Sequence, residues 1–184
     1  MPLRTLRCAI EDLKDWYPRL LLEPHSVAYV AVVRRYSVSP ATFDVVCEGI
    51  KSRWPGRENA LRLQVSCAEE TAGKADRLLA TMQQKPVVEL AAVALAFILA
   101  RRPLGLGALD LSAYGERADY RSPSAESVLE VSGTEDLSEL GRRHREKVAQ
   151  ALDNTYGWGA CVVVCAFSAR GHRIRVSRHG PAEA

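Results

Sequence analysis

The stretch from Pro86 to Ala100 is apolar apart from Glu89 and is closed by Arg101 and Arg102. It is shorter than the roughly 20 residues a bilayer crossing needs, so it predicts a helix buried in a packed core. A carboxylate inside such a helix has to be solvated by a cleft, paired with a cation or bound to a metal, because burial without a partner costs several kcal/mol. Fold and candidate chemistry therefore meet in one segment. With 184 residues, 47% of them hydrophobic and 26% charged, the chain has the composition for one domain with a sizeable core, and disorder is excluded over most of its length. Lys and Arg number 25 against 22 Asp and Glu, and the resulting +3 is too mild to specify a partner.

Cys8, Cys47, Cys67, Cys161 and Cys165 are an odd number without a C-x-x-C pair, which predicts free thiols and a cytoplasmic setting. Cys161 and Cys165 fall on one face of an apolar strand with no His or Cys nearby to complete a zinc quartet, so they read as core thiols. Glu11 and Asp12 stand where a secretory signal needs an apolar run, and no export signal is expected. No P-loop, dinucleotide fingerprint or Gly-x-Ser-x-Gly elbow occurs.

Patterning predicts an α/β chain with a mixed sheet flanked by helices. Over 1–84 the expectations are an amphipathic helix at 6–22 ending near Pro24 and a β-branched strand from Val27 to Tyr36. Strands at Phe43–Cys47 and Ala60–Cys67 follow, separated by a Trp-Pro-Gly turn, and then a helix from Ala68 to Met82. Over 85–179 the order is helix Val87–Arg101, strands Leu106–Tyr114, Arg117–Arg121 and Ser127–Ser132, helix Asp136–Leu152, and strands Ala160–Ser168 and His172–Ser177. Thr134 or Asp136 caps the second of these helices, and Asp153, Asn154 and Gly157 end it. Residues 180–184 read as a frayed tail, and the whole as one compact domain.

Alternation along Ser127–Ser132 sets Leu129 and Val131 on one face and Val128, Glu130 and Ser132 on the other. Asp119 points away from Ala118 and Tyr120, so a hairpin sets it beside Glu130. With Glu89 these are three carboxylates on a helix and two strands, hard oxygen donors suited to Mg²⁺ or Mn²⁺. In that element order and with those acids, residues 85–170 resemble the PD-(D/E)XK nuclease superfamily. The resemblance implies a restriction-endonuclease-like α-β-β-β-α-β core carrying an N-terminal α+β extension. It implies Asp119 and Glu130 as metal ligands and Glu89 as an accessory ligand. The implied activity is that of a Mg²⁺-dependent endonuclease, a phosphodiesterase acting on nucleic acid within a DNA-processing or defence system.

Ser132 stands where the family has its lysine, and serine supplies no positive charge beside a developing pentavalent phosphate. Some members carry the cation on the following helix, which here holds Arg142, Arg143, His144, Arg145 and Lys147. Helical spacing sets Arg143, Lys147 and Gln150 on one face, so Lys147 or Arg143 is the replacement, with Lys147 as the catalytic candidate. Gln150 with Tyr156 is similar to the Gln and Tyr that follow the core in some relatives. Arg142, Arg143, Arg173 and Arg175 are candidate phosphate contacts, with Tyr156 and Trp158 near enough to stack a base.

Ordinary readings stand beside these. Glu89 reads equally as an exposed helix position, and Asp119 and Glu130 as salt-bridge partners of Arg117, Arg121 or an arginine of the following helix. The basic run 142–147 reads as a solvated face, and His144, His172 and His179 as structural residues. Ser132 favours the alternative function, a catalytically inactive nuclease-like fold serving as a nucleic-acid-binding or protein-assembly subunit. The N-terminal strands would then offer a sheet edge to a protein partner.

Overall fold

The computed structural model describes residues 3–37, 40–50, 59–113 and 118–180. In chain order its elements are β1 (Thr5–Ala9), α1 (Leu13–Trp16), α2 (Glu23–Val33), β2 (Ala41–Glu48), β3 (Ala60–Ser66), α3 (Glu69–Thr81) and α4 (Gln84–Arg101). There follow β4 (Asp110–Leu111), β5 (Tyr120–Ser122), β6 (Ser127–Thr134), α5 (Leu140–Leu152), β7 (Gly159–Ala166) and β8 (His172–His179). The strands form one mixed sheet of eight in the order β1-β3-β2-β8-β7-β6-β5-β4. β4, β5 and β6 run as an antiparallel meander, and α5 carries the chain across to β7, which is parallel to β6.

Every residue of β6 and β7 is buried, because helices cover both faces of the sheet there. Leu129, Val131, Cys161, Val163 and Cys165 join the large core under α4 and α2. Val128, Ala160, Val162 and Val164 face Ala151, Val148 and Leu152 of α5. All five cysteines are free thiols, and Cys161 and Cys165 lie in the core as expected. Among the described residues no helix is long and apolar enough to cross a membrane.

From residue 85 onward the expected order is observed with shifted bounds. α4 starts earlier than expected, at Gln84, with Pro86 in its first turn where a missing N–H has no consequence. A 3-10 turn at Leu137–Glu139 precedes α5, with Asp136 Oδ1 accepting from Ser138 N–H. The long strand expected at 106–114 is only the two-residue β4 within the described residues. The Trp-Pro-Gly turn, Arg117 and the tail beyond Gly180 lie outside the described residues.

The N-terminal third departs in two places. The helix expected at 6–22 is instead edge strand β1, a 3-10 turn and the single turn α1. β1 lies parallel beside β3, Thr5 opposite Arg62, a pairing between distant segments that local periodicity does not report. The strand expected at 27–36 is helix α2, with every residue from Ser26 to Val33 buried. Enclosed on all sides, α2 shows no amphipathic period, and its valines mimic a strand. Pro24 opens α2 rather than closing a preceding helix. β2 pairs in parallel with β8, so the N-terminal strands continue the core sheet.

Candidate active site

The β5–β6 ladder ends at the pair Tyr120–Leu129. Beyond it, among the described residues, no strand lies along the outer edge of β6, and its N–H groups need other acceptors. Asp119 Oδ2 takes the Val131 N–H at 2.8 Å, and Glu89 Oε2, from α4, takes the Gly133 N–H at 2.7 Å. Two of the three expected acids are thus held at the same opening by the backbone of β6. Gly133 is required there, since a Cβ on it would stand 2.5 Å from the Val88 carbonyl oxygen of α4. Glu89, Val93, Leu111, Asp119, Tyr120, Val131, Ser132 and Lys147 line a cavity of about 380 Å³ at this opening.

Glu130 is fully buried on the α5 side of β6. Lys147 Nζ donates to its Oε2 at 2.6 Å and Gln150 Nε2 to its Oε1 at 3.0 Å, so both oxygens are engaged from one face of α5. Register places Asp119 next to Glu130 on the same sheet face, within side-chain hydrogen-bonding reach. Burial, and after it the charge of Asp119, pushes the Glu130 carboxyl up to about 7 although Lys147 pulls it down. Burial lowers the Lys147 ammonium, but its bond to Glu130 and the charges of Glu130, Asp119 and Glu89 outweigh this and hold it above its ordinary value. One ammonium thus sits in the field of all three acids.

Arg143, one helical turn before Lys147, bonds Glu139 at 2.8 Å and reaches Ser132 Oγ at 3.5 Å and the Gly133 carbonyl at 3.4 Å. Its guanidinium is 3.9 Å from Glu89 Oε1. The expected face of Arg143, Lys147 and Gln150 is therefore the one applied to β6. Arg142 lies outside it, bridging Glu139 and Glu146 on the exposed side. Arg175 is paired with Glu48, and Arg173 is exposed on β8. His144 and His179 both bond Ser177 Oγ at 2.8 Å, while His172 stacks on Phe43 and bonds Ser37.

Asp119 and Glu130 in contact, one of them fully buried, have the hard-oxygen chemistry of a divalent cation site. Among the described residues no group of three or more His, Cys, Asp and Glu side chains is arranged to hold a metal ion. Asp119 and Glu130 lie side by side, while Glu89, at the same opening, is turned to Gly133 and Arg143. Sequence reasoning missed Glu135, which accepts from Tyr36 Oη at 2.7 Å, from Arg35 at 3.2 Å and from Gln84. It ties α2 and the start of α4 to the end of β6, and an acid after a strand carries no local signal of that role. No family model, curated protein or solved structure matches the chain.

Proposed function

We propose that the protein is a metal-dependent phosphodiesterase acting on nucleic acid, built on the PD-(D/E)XK plan. The observation that carries this reading is the 2.6 Å contact of Lys147 with Glu130. The cation missing from position 132 comes from α5 instead, onto the acid that the resemblance makes a metal ligand. The succession of α4, the β4-β5-β6 meander, α5 and parallel β7 supports the same plan. Asp119 and Glu130 would hold the cation, which when bound supplies charge to polarise the phosphate and lower the pKa of a water. Gln150 orients Glu130, Lys147 presents positive charge at the cavity, and Arg143 extends it towards Ser132.

Calorimetric titration of Mn²⁺ and cleavage of plasmid and single-stranded DNA test the reading on the wild type, Asp119→Asn, Glu130→Gln and Lys147→Gln. The expected result is metal binding and metal-dependent cleavage in the wild type, with cleavage lost in all three variants. Lys147→Gln cleaving at the wild-type rate removes Lys147 from the site, and no metal binding by the wild type overturns the activity.

One observation favours the second reading, a nuclease-like fold without catalysis. Asp119 and Glu89 each give one oxygen to an unpaired N–H of β6, and Glu130 has both oxygens bonded. Those contacts stabilise the sheet edge whether or not a metal ever binds. On that reading the protein is a nucleic-acid-binding or assembly subunit, and the same titration gives no metal binding.

A further inference from the structure

α5 stands on β6 and β7, and beyond it, on the same side of the sheet, β8, β2, β3 and β1 carry no helix among the described residues. Alternation along these strands separates two faces. Phe43, Val45, Leu61, Leu63 and Ile174 are buried in the core on one, whereas Arg7, Asp44, Arg62 and Arg173 are exposed on the other. Register aligns Thr5, Arg62, Asp44 and Arg173 in a single row across all four strands. Arg175 stands two residues along β8 from Arg173, and Arg145 reaches the same flank from α5. Both bring a guanidinium nitrogen against Gly141, Arg175 at 3.5 Å and Arg145 at 3.6 Å from the point where a Cβ would stand.

The bare face thus carries five arginines against two acids, Asp44 and Glu48. Arg62 holds Asp44 at 3.5 Å and Arg175 holds Glu48 at 2.7 Å, while Arg7 bonds only the neutral Gln64, at 2.9 Å. Among the described residues Arg145 and Arg173 have no carboxylate partner. The charges are also sorted by strand. Both acids sit on β2, in the middle, with Arg7 and Arg62 on β1 and β3 to one side and Arg145, Arg173 and Arg175 on α5 and β8 to the other. At about 4.8 Å per strand the two arginine groups are about 10 to 14 Å apart, close to the width of about 12 Å between the phosphate ridges of a major groove.

Three occupants are disfavoured by the same face. Val46, 47% exposed, is its one large exposed apolar side chain, and no Phe, Tyr or Trp lies on it among the described residues. A protein partner lacks an apolar centre to bury there, and a single strand lacks rings on which to stack its bases. A second copy of the chain would set like charges against each other. We propose that the bare face of β1, β3, β2 and β8 seats a nucleic-acid duplex, its two phosphate ridges on the two arginine groups and its groove over the acids of β2. Arginine suits this role because its planar fork matches phosphate oxygens. Glu130 lies on that side of the sheet, two strands beyond β8, so the seat holds the substrate beside the acids. The proposal deepens the phosphodiesterase reading, naming a duplex as its substrate, and rests on it for what the seated duplex is there to undergo.

The test is fluorescence anisotropy in EDTA with a labelled twenty-base-pair DNA duplex and a single strand of the same sequence, over a series of salt concentrations. It uses the wild type, Arg173→Gln, Arg173→Lys, the double variant Arg7→Gln with Arg173→Gln, and Arg77→Gln. Arg77 is exposed on α3, away from this face. All the altered positions are exposed, and thermal unfolding checks that each variant folds. Arg173→Gln is expected to lower the slope of log K against log salt by about 0.9 and to weaken duplex binding fivefold to tenfold at about 0.1 M salt. The double variant is expected to lower the slope by about 1.8, with Arg173→Lys near the wild type and Arg77→Gln unchanged. Duplex binding unaltered in the double variant, an equal loss in Arg77→Gln, or a single strand bound more tightly than the duplex overturns the inference. No duplex binding by the wild type also overturns it and leaves the face to an acidic protein. Cleavage with Mn²⁺ is measured separately: a wild type that binds the duplex through Arg173 but never cleaves it refutes the phosphodiesterase reading and leaves the seat standing. Metal-dependent cleavage of the duplex with kcat/KM unchanged in the double variant refutes the seat and leaves the activity standing.

Discussion

Replacing Glu130 with glutamine changes the pH dependence of stability in a direction the structure dictates. The carboxyl is fully buried, and its pKa is raised from 4.5 to about 7, by burial first and by Asp119 second. A group whose folded pKa lies above its unfolded one binds its proton more tightly in the native state, so its contribution is fully present below pH 4.5 and is lost as pH rises through 7. At about 1.4 kcal/mol per pH unit, the displacement is worth about 3 kcal/mol. Glu130→Gln keeps the side-chain shape and abolishes the titration. Urea unfolding followed by circular dichroism at pH 4.5, 6, 7 and 8 gives the stability of both proteins. The difference between them is expected to move by about 3 kcal/mol in favour of the glutamine variant across that range, most steeply between pH 5 and 7. A difference constant within about 0.5 kcal/mol refutes the reasoning, because a solvated or fully compensated Glu130 would not distinguish the two chains.

Lys147→Ala leaves Glu130 buried without its cation, and is expected to cost about 3 kcal/mol at pH 8 and much less at pH 5, where Glu130 is protonated; the same unfolding series reads it. Mn²⁺ affinity is expected to fall as pH drops below 7, since Glu130 must lose its proton to serve as a ligand; calorimetry at pH 6 and 8 checks this. Gly133→Ala drives a methyl against Val88 and disturbs the Gly133 bond to Glu89, with an expected loss of about 2 kcal/mol by urea unfolding. Asn154→Ala removes the four bonds that shape the Tyr156–Trp158 loop, and is expected to cost about 2 kcal/mol by the same measurement.

Much of the site is legible in the chain itself because each part of it obeys a local period. Alternation along β6 separates Glu130 from Leu129, and a spacing of three or four residues on α5 aligns Arg143, Lys147 and Gln150. Those periods hold because β6 and α5 are regular over the residues concerned. α2 is different: enclosed by α4, α3 and the sheet, it has no polar face, and its valines read as a strand.

What the sequence alone determined is therefore the class of fold, the order of elements after residue 85, the free thiols, and which acids and bases share a face. The tertiary structure decided that β1 pairs with β3 and that β2 joins β8, because strand pairing is a contact between segments far apart in the chain. It also decided the state of the acids. Asp119 and Glu89 close the open edge of β6, Glu130 lies under Lys147 with a pKa near 7, and Asn154 holds the loop that stacks Tyr156 on Trp158. Burial and hydrogen-bond partners give a side chain its charge state and orientation, and both are fixed only when distant elements meet.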